Sequence, residues 1–405
     1  MSDTMMAAHN EYMRRPKDQR YDSVASLVAV AAQDKQLSRQ VSYNLKDLRV
    51  VEAMTDTSTL APAANGFTVF PNAGTTVRLQ SPKGTAAFTH WSFGQICRML
   101  GAPASYLRTL PPSHIAADLT YGLQHSPVGT SANVLVRMPN GGTPEPIARS
   151  INSDSYGRLW DAELFSALQR QLVEQPGRDG AWTLPPTWTG EAAGAYRGDR
   201  DSFVVLVNGG SIVTDPSLRN AGPSIVSGND ANSSRSNQDT MYRGLLIRNS
   251  EVGACSVVIE RILYRYICGN HMIWGAVIDK QFRRRHVGSH VLRDVVREIA
   301  DVAWKWTSRS ESSDTAIIKS LIDHEIAHTK EAVIDELRKI GATKEQAEQA
   351  YARCEATEAV SPRSFWGVAQ GLTRISQEEG YEDERYQLDQ LATKVLTRGA
   401  RLVAA

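Results

Sequence analysis

The run Ala254–Cys268, ACSVVIERILYRYIC, sets Val257, Val258, Ile259, Ile262, Leu263, Tyr264, Tyr266 and Ile267 around only three charges. β-Branched and aromatic residues at that density fit a strand better than a surface helix, and a strand so apolar belongs inside a sheet. Residues four apart share a face on either element, so Arg261 and Arg265 point the same way. Two co-facing arginines on an apolar element need an anion, a carboxylate or water beside them. Internal salt bridges would meet that need, and so would a phosphate-tracking face.

Charge around this run favours weighing the second reading. Between Met241 and Arg297 there are ten Lys or Arg against four acids, an excess of six in a chain whose total is +1. Arg248 precedes the run, and Arg283, Arg284, Arg285 and His286 extend the basic character into the loop that follows. A groove can be strongly positive while the whole chain is nearly neutral. Tyr264, Tyr266 and Trp274 would offer rings on which bases stack.

The rest of the chain reads as an α+β protein: a central antiparallel sheet, flanking helices and a helical C-terminal region. Residues 1–60 form a polar arm with a short helix at Tyr21–Gln33, and 61–295 the α+β core with the basic block. The final segment, 296–405, is helical. In the core, Phe67–Phe70, Thr76–Leu79, Asn133–Met138, Ile147–Ile151 and Ser202–Val207 read as strands. Helices are expected from Trp91 to Gly101, from Pro103 over Tyr106 and Leu107, and from Asp161 to Leu172. Trp182, Trp188 and Tyr196 lie in a Pro- and Gly-rich loop, where aromatics either lid a core or stack on bases. After His290, repeats of three and four predict helices over Val291–Trp306, Thr315–Ile340, Lys344–Glu355 and Tyr381–Val403. This region is acidic, with seventeen acids and twelve bases from Glu311 onward.

Asn249-Ser-Glu-Val-Gly253, Arg265, Cys268-Gly-Asn270 and Arg285-His286-Val-Gly288 together resemble a family of phage- and plasmid-borne proteins, the phage/plasmid-like family or domain of unknown function nine hundred and thirty-two. The resemblance extends to Gln95-Ile-Cys-Arg-Met-Leu-Gly-Ala-Pro103, Tyr106, Arg149-Ser-Ile-Asn-Ser-Asp-Ser-Tyr156 and Phe365-Trp-Gly-Val-Ala-Gln370, covering the chain from about His90 onward. It implies an accessory protein of mobile DNA and no known chemistry.

Catalytic signatures are sparse. His324-Glu325-Ile-Ala-His328 matches HExxH, which on a helix would place two zinc-ligating imidazoles one turn apart with Glu325 polarising a water. Its flanks, Asp323, Thr329 and Lys330, are more polar than a buried catalytic helix carries, and a solvated helix face is the favoured reading. Cys268-Gly-Asn-His271 with His286 and His290 imitates zinc-finger spacing without the finger's apolar pattern. Neither a P-loop nor GxSxG is present, and the four cysteines form no CxxC pair.

The expectation is therefore a non-enzymatic, cytoplasmic nucleic-acid-binding protein that needs no cofactor, favours single-stranded DNA, assembles as a homo-oligomer and leaves membranes alone. Its binding residues would be Arg248, Arg261, Tyr264, Arg265, Tyr266, Arg283, Arg284, Arg285 and His286. A zinc hydrolase built on HEIAH and a purely structural oligomer are the alternatives.

Overall fold

Ser23 begins the first helix, because its side chain accepts the Ser26 amide at 3.1 Å and satisfies a donor that the helix start leaves open. The computed structural model describes residues 19–53, 77–126, 131–140, 145–174, 182–185, 194–214, 240–265, 270–273, 282–288, 291–308, 310–358, 360–378 and 382–404. A two-residue strand, β1 (Arg20–Tyr21), precedes that helix, α1 (Val24–Leu37), whose Val24, Leu27 and Ala31 are buried. Rather than a loose arm, α1 is therefore part of the core. The chain continues through β2 (Ser38–Asn44), β3 (Arg49–Glu52), β4 (Val77–Ser81) and β5 (Gly84–Phe88). A capping box between Thr89 and Ser92 starts α2 (His90–Met99). It is followed by α3 (Ala104–Leu107), α4 (Pro112–His125), β6 (Ser131–Arg137) and β7 (Ile147–Asn152).

Among the described residues, β2, β6, β7, β5, β4 and β3 form one sheet in that order, antiparallel except where β5 runs parallel to β7. Phe93 and Ile96 of α2 and Ile115, Leu119 and Leu123 of α4 cover one face over Phe88 and Val134. Helix α4 lay outside the expected elements, although Pro at its first turn and apolar residues at 115, 119 and 123 are its signature. Between β6 and β7 the register slips: Leu135 faces Ser150 and Val136 faces Ala148, so Arg149 is the extra residue of a bulge. A bulge bends its strand and re-aims one side chain.

Apart from β1, the second sheet is built after α5 (Asp161–Leu168), from β8 (Trp182–Thr183), β9 (Ala195–Arg197), β10 (Ser202–Thr214) and β11 (Thr240–Asn249). It is completed by β12 (Val257–Arg265), β13 (Asn270–Ile273) and β14 (Phe282–Arg284). Its described order is β1-β9-β10-β11-β12-β13, with β8 also on β10 and β14 on β12, all antiparallel. The apolar run that predicted an interior strand is β12, paired with β11 on one side and with β13 and β14 on the other. Trp182 and Tyr196, weighed as stacking rings, are both buried.

Helices α6 (Val291–Thr307), α7 (Glu311–Asp323), α8 (Lys330–Ile340), α9 (Lys344–Thr357), α10 (Phe365–Glu378) and α11 (Glu382–Ala404) complete the chain. They share one continuous apolar core with β10, β11 and β12, running from Val204, Leu245 and Ile259 through Val295, Ile299 and Trp306 to Trp366, Leu372 and Leu391. The chain is thus α+β, with a large antiparallel sheet, flanking helices and a helical C-terminal region. One helix over Thr315–Ile340 was expected, but the structure has two. Thr329 caps α8 by accepting the Ala332 amide, so the chain turns between His324 and Thr329. Among the described residues, no helix is long and apolar enough to cross a membrane.

Candidate nucleic-acid interface and the buried junction behind it

Segments far apart in sequence meet at the turn between β11 and β12. Gly253 takes φ +83° there, a left-handed conformation that favours glycine, and a Cβ would stand 2.8 Å from Asn152 Nδ2 and push that side chain aside. The Val252 carbonyl accepts from Trp91 Nε1 (3.1 Å), Gln95 Nε2 (2.8 Å) and Asn152 Nδ2 (3.3 Å). Tyr156 donates its hydroxyl to the Ser250 carbonyl at 2.9 Å, and Ser250 Oγ donates to the Arg200 carbonyl at 2.5 Å. Gly157 donates its amide to the His286 carbonyl at 2.9 Å, and a Cβ at Gly157 would sit 2.1 Å from Gly288 O. The stretches that carried the family resemblance around Gln95, Arg149, Asn249 and Arg285 therefore form one assembly.

Beneath this turn lies a charge network sealed from water. Glu251 accepts from Arg149 (2.9 Å), Arg197 (3.1 Å) and the Asp161 amide (2.9 Å). Arg197 also pairs with Asp161 (3.0 Å) and Asp34 (2.5 Å), and Asp34 pairs with Arg137 (3.0 Å). Three arginines thus balance three carboxylates, all six residues being no more than 3% exposed. A buried charge is tolerable only when paired and hydrogen-bonded in this manner. A fourth guanidinium, Arg158, donates to the Glu251 carbonyl, Ser150 Oγ and Gln40 Oε1.

The two main carboxylates respond differently to this setting. Burial would push both up, but Arg197 and Arg149 outweigh it at Glu251 and hold that carboxyl below its usual range. At Asp161, burial and the adjacent Glu251 charge prevail and push the group up to about 6, despite Arg197 and the donors Ser202 and Asn249. Burial likewise takes His286 down to about 4. Its ring lies 5.3 Å from that of Tyr156, and neither ring nitrogen completes a hydrogen bond among the described residues; backbone groups of Gly157 and Cys255 favour the proton, and the charge of Arg158 opposes it.

In front of the turn is an open cleft of about 530 Å³ lined by His90, Trp91, Arg98, Arg108 and Arg200. The Arg98 and Arg200 guanidinium carbons stand 5.6 and 5.8 Å from the Trp91 ring centroid, and Arg108 stands 5.2 Å from that of Phe93. Partial burial, then the charges of Arg108 and Arg200, lower the pKa of His90. None of these residues belongs to the binding set expected from sequence, although Trp91 opens the expected helix and Arg98 falls in the Gln95–Pro103 motif. Trp91 and Arg98 lie seven apart, two turns along one helix face, which was a readable signal, but Arg200 joins them only through the fold.

The residues that were singled out do not share one open face. Arg248 pairs with Asp201 at 3.1 Å. Arg261 is half-buried and sits 5.9 Å from the ring of Trp306, on the β12 face that α6 covers. Arg284 pairs with Asp294 at 3.1 Å, and His286 is buried beneath the turn. Arg283 and Arg285 are exposed. The side chains of Tyr264 and Arg265, and Tyr266, Cys268 and Trp274 altogether, lie outside the described residues, as do Trp188, His290 and the side chain of His271.

HEIAH is not on a helix. His324 ends α7 with its ring nitrogen 2.8 Å from the Ser320 carbonyl, Glu325 is paired with Arg363 at 2.8 Å, and His328 follows in the connecting turn. This removes the one-face spacing on which the zinc reading depended. No set of three potential metal ligands occurs among the described residues.

Comparison with known proteins adds no relative. No family model, no curated protein and no solved structure matches the chain.

Proposed function

We propose that this protein binds nucleic acid, single-stranded DNA foremost, at the end of the second sheet where β10 begins, β11 ends and β12 starts. The observation that supports this reading is the gathering of cations there. Arg98, Arg108 and Arg200 line a cleft around an indole, and Arg283 lies within and Arg285 just beyond β14, which pairs with the first residues of β12. Carboxylates at this end are already engaged: Asp201 by Arg248, and Glu251 by Arg149 and Arg197. Asp199, beside Arg200, is half-buried, and burial raises its pKa. A positive surface whose neighbouring acids Asp201 and Glu251 are paired attracts phosphates, and an aromatic ring beside it favours unpaired bases over a stacked duplex.

The resemblance to phage- and plasmid-borne proteins fits a cytoplasmic accessory of recombination or replication that holds or anneals strands as a homo-oligomer. The zinc hydrolase is the weaker reading, because Glu325 is held by Arg363 and the two histidines are not stacked on one helix.

Fluorescence anisotropy with labelled single- and double-stranded oligonucleotides across a salt series tests the proposal. Binding of the single strand that weakens steeply with salt is expected. Absence of binding to either probe at low salt overturns it.

A further inference from the structure

We infer that the cleft beside Trp91 is a site for one nucleotide unit of a single strand, with the phosphate against Arg98, Arg108 and Arg200 and the base on the indole. This assignment rests on the nucleic-acid reading above and narrows it to one place and one chemistry.

Three features of the cleft carry it. First, among the described residues its lining holds three guanidinium groups, one imidazole and no carboxylate. Guanidinium forks match phosphate oxygens two at a time, and an anion among them relieves their mutual repulsion. Second, the indole is fixed: Trp91 Nε1 donates to the Val252 carbonyl, and that turn is held by Tyr156, Gln95, Asn152 and the buried Glu251 network. The guanidinium groups of Arg98 and Arg200 lie over this ring, so a base takes the place of one of them on its face, and a ring anchored at its edge loses little freedom in the exchange. Third, at about 530 Å³ the space lies within the roughly 300–1,000 Å³ of small-ligand sites. The lowered pKa of His90, set by burial and then by Arg108 and Arg200, agrees with a positive potential inside the cleft.

The experiment uses the full chain, a labelled oligothymidylate, thymidine monophosphate and inorganic phosphate. Arg98→Ala with Arg200→Ala removes two exposed cations of the cleft, Trp91→Leu removes the ring, and Arg283→Ala with Arg285→Ala serves as a charge-matched control outside it. Circular dichroism checks that each variant is folded. Both cleft variants are expected to lose roughly five- to a hundred-fold in oligonucleotide affinity, the range for one stacked base. The control should lose less, and thymidine monophosphate should compete more strongly than inorganic phosphate.

Wild-type binding with unchanged affinity in folded Arg98/Arg200 and Trp91 variants overturns the cleft assignment and leaves the broader reading standing. Equal competition by inorganic phosphate and thymidine monophosphate overturns the role of the base. Binding of thymidine monophosphate with none of the oligonucleotide overturns the strand as occupant, and with it the broader reading.

Discussion

Arg149 and Glu251, both 2% exposed and separated by 102 positions in the chain, form a 2.9 Å ion pair that joins the bulge of β7 to the turn after β11. The bulge makes the pair available, since Arg149 is the residue without a register partner on β6. The pair thereby couples the two sheets and fixes the turn to which Trp91 is anchored.

Breaking this pair leaves a charge stranded in the interior. Glu251→Gln or Arg149→Ala is expected to destabilise the protein by about 3–5 kcal/mol, the usual cost of removing one partner of a buried pair. Urea unfolding followed by tryptophan fluorescence reads this directly, and a loss below about 1 kcal/mol would show that the network is not what joins the sheets.

His286 predicts a pH dependence with a definite sign. Its folded pKa, about 4, lies below the ordinary 6.5, so the unfolded chain takes up a proton first as pH falls. Its contribution is absent above pH 6.5 and becomes a loss of up to about 3 kcal/mol as pH drops through 6.5 towards 4. Asp161 works the other way over part of the same window, because its raised pKa lets the folded state bind a proton before the unfolded one. The clean readout is the stability difference between wild type and His286→Phe measured from pH 7.5 to 4.5. It should move against wild type on acidification, and a flat difference would mean that the imidazole is hydrated.

Arg261 should behave as a structural residue. It faces Trp306, which also lies 5.2 Å from Arg243 and donates its indole N–H to the Gly244 carbonyl at 3.0 Å. Arg261→Ala is expected to cost about 1 kcal/mol by removing the cation–π interaction while leaving the salt dependence of oligonucleotide binding unchanged. By contrast, Arg283→Ala with Arg285→Ala should flatten that dependence by up to about 1.4 in log–log slope, since each phosphate of a single strand that a cation neutralises adds about 0.7. A flatter slope in the Arg261 variant would restore the β12 face as a binding surface.

For HEIAH, His324→Ala with His328→Ala should shift the unfolding temperature by no more than about 2 °C, since exposed side chains in a turn carry little stability. Purified protein supplied with zinc should show no stoichiometric metal that this double variant abolishes. Zinc lost in proportion to the substitution would contradict the turn geometry.

Local signals read well wherever local physics decides. The apolar β12, the hairpin-like pairing of β6 and β7, the Phe93 and Ile96 stripe of α2, and the long C-terminal helices all follow from side-chain periodicity and from turn or cap residues. The break at HEIAH is local too: the helix stops at Asp323, and the Thr329 cap starts a new one.

What the amino-acid sequence determined by itself was the α+β class, most element positions and the excess of positive charge around β12. Partner choice was decided in three dimensions. Alternation along β12 put Arg261 on the face that Val257, Ile259 and Leu263 bury under helices, while Asp201, Asp294 and Arg363 engaged side chains that look free in one dimension. Arg200 reaches Trp91 from more than a hundred positions away, and Glu251 finds Arg149 only because a bulge turns that residue inward. Long-range electrostatics depend on which elements pack together, and residue spacing along the chain carries no record of that.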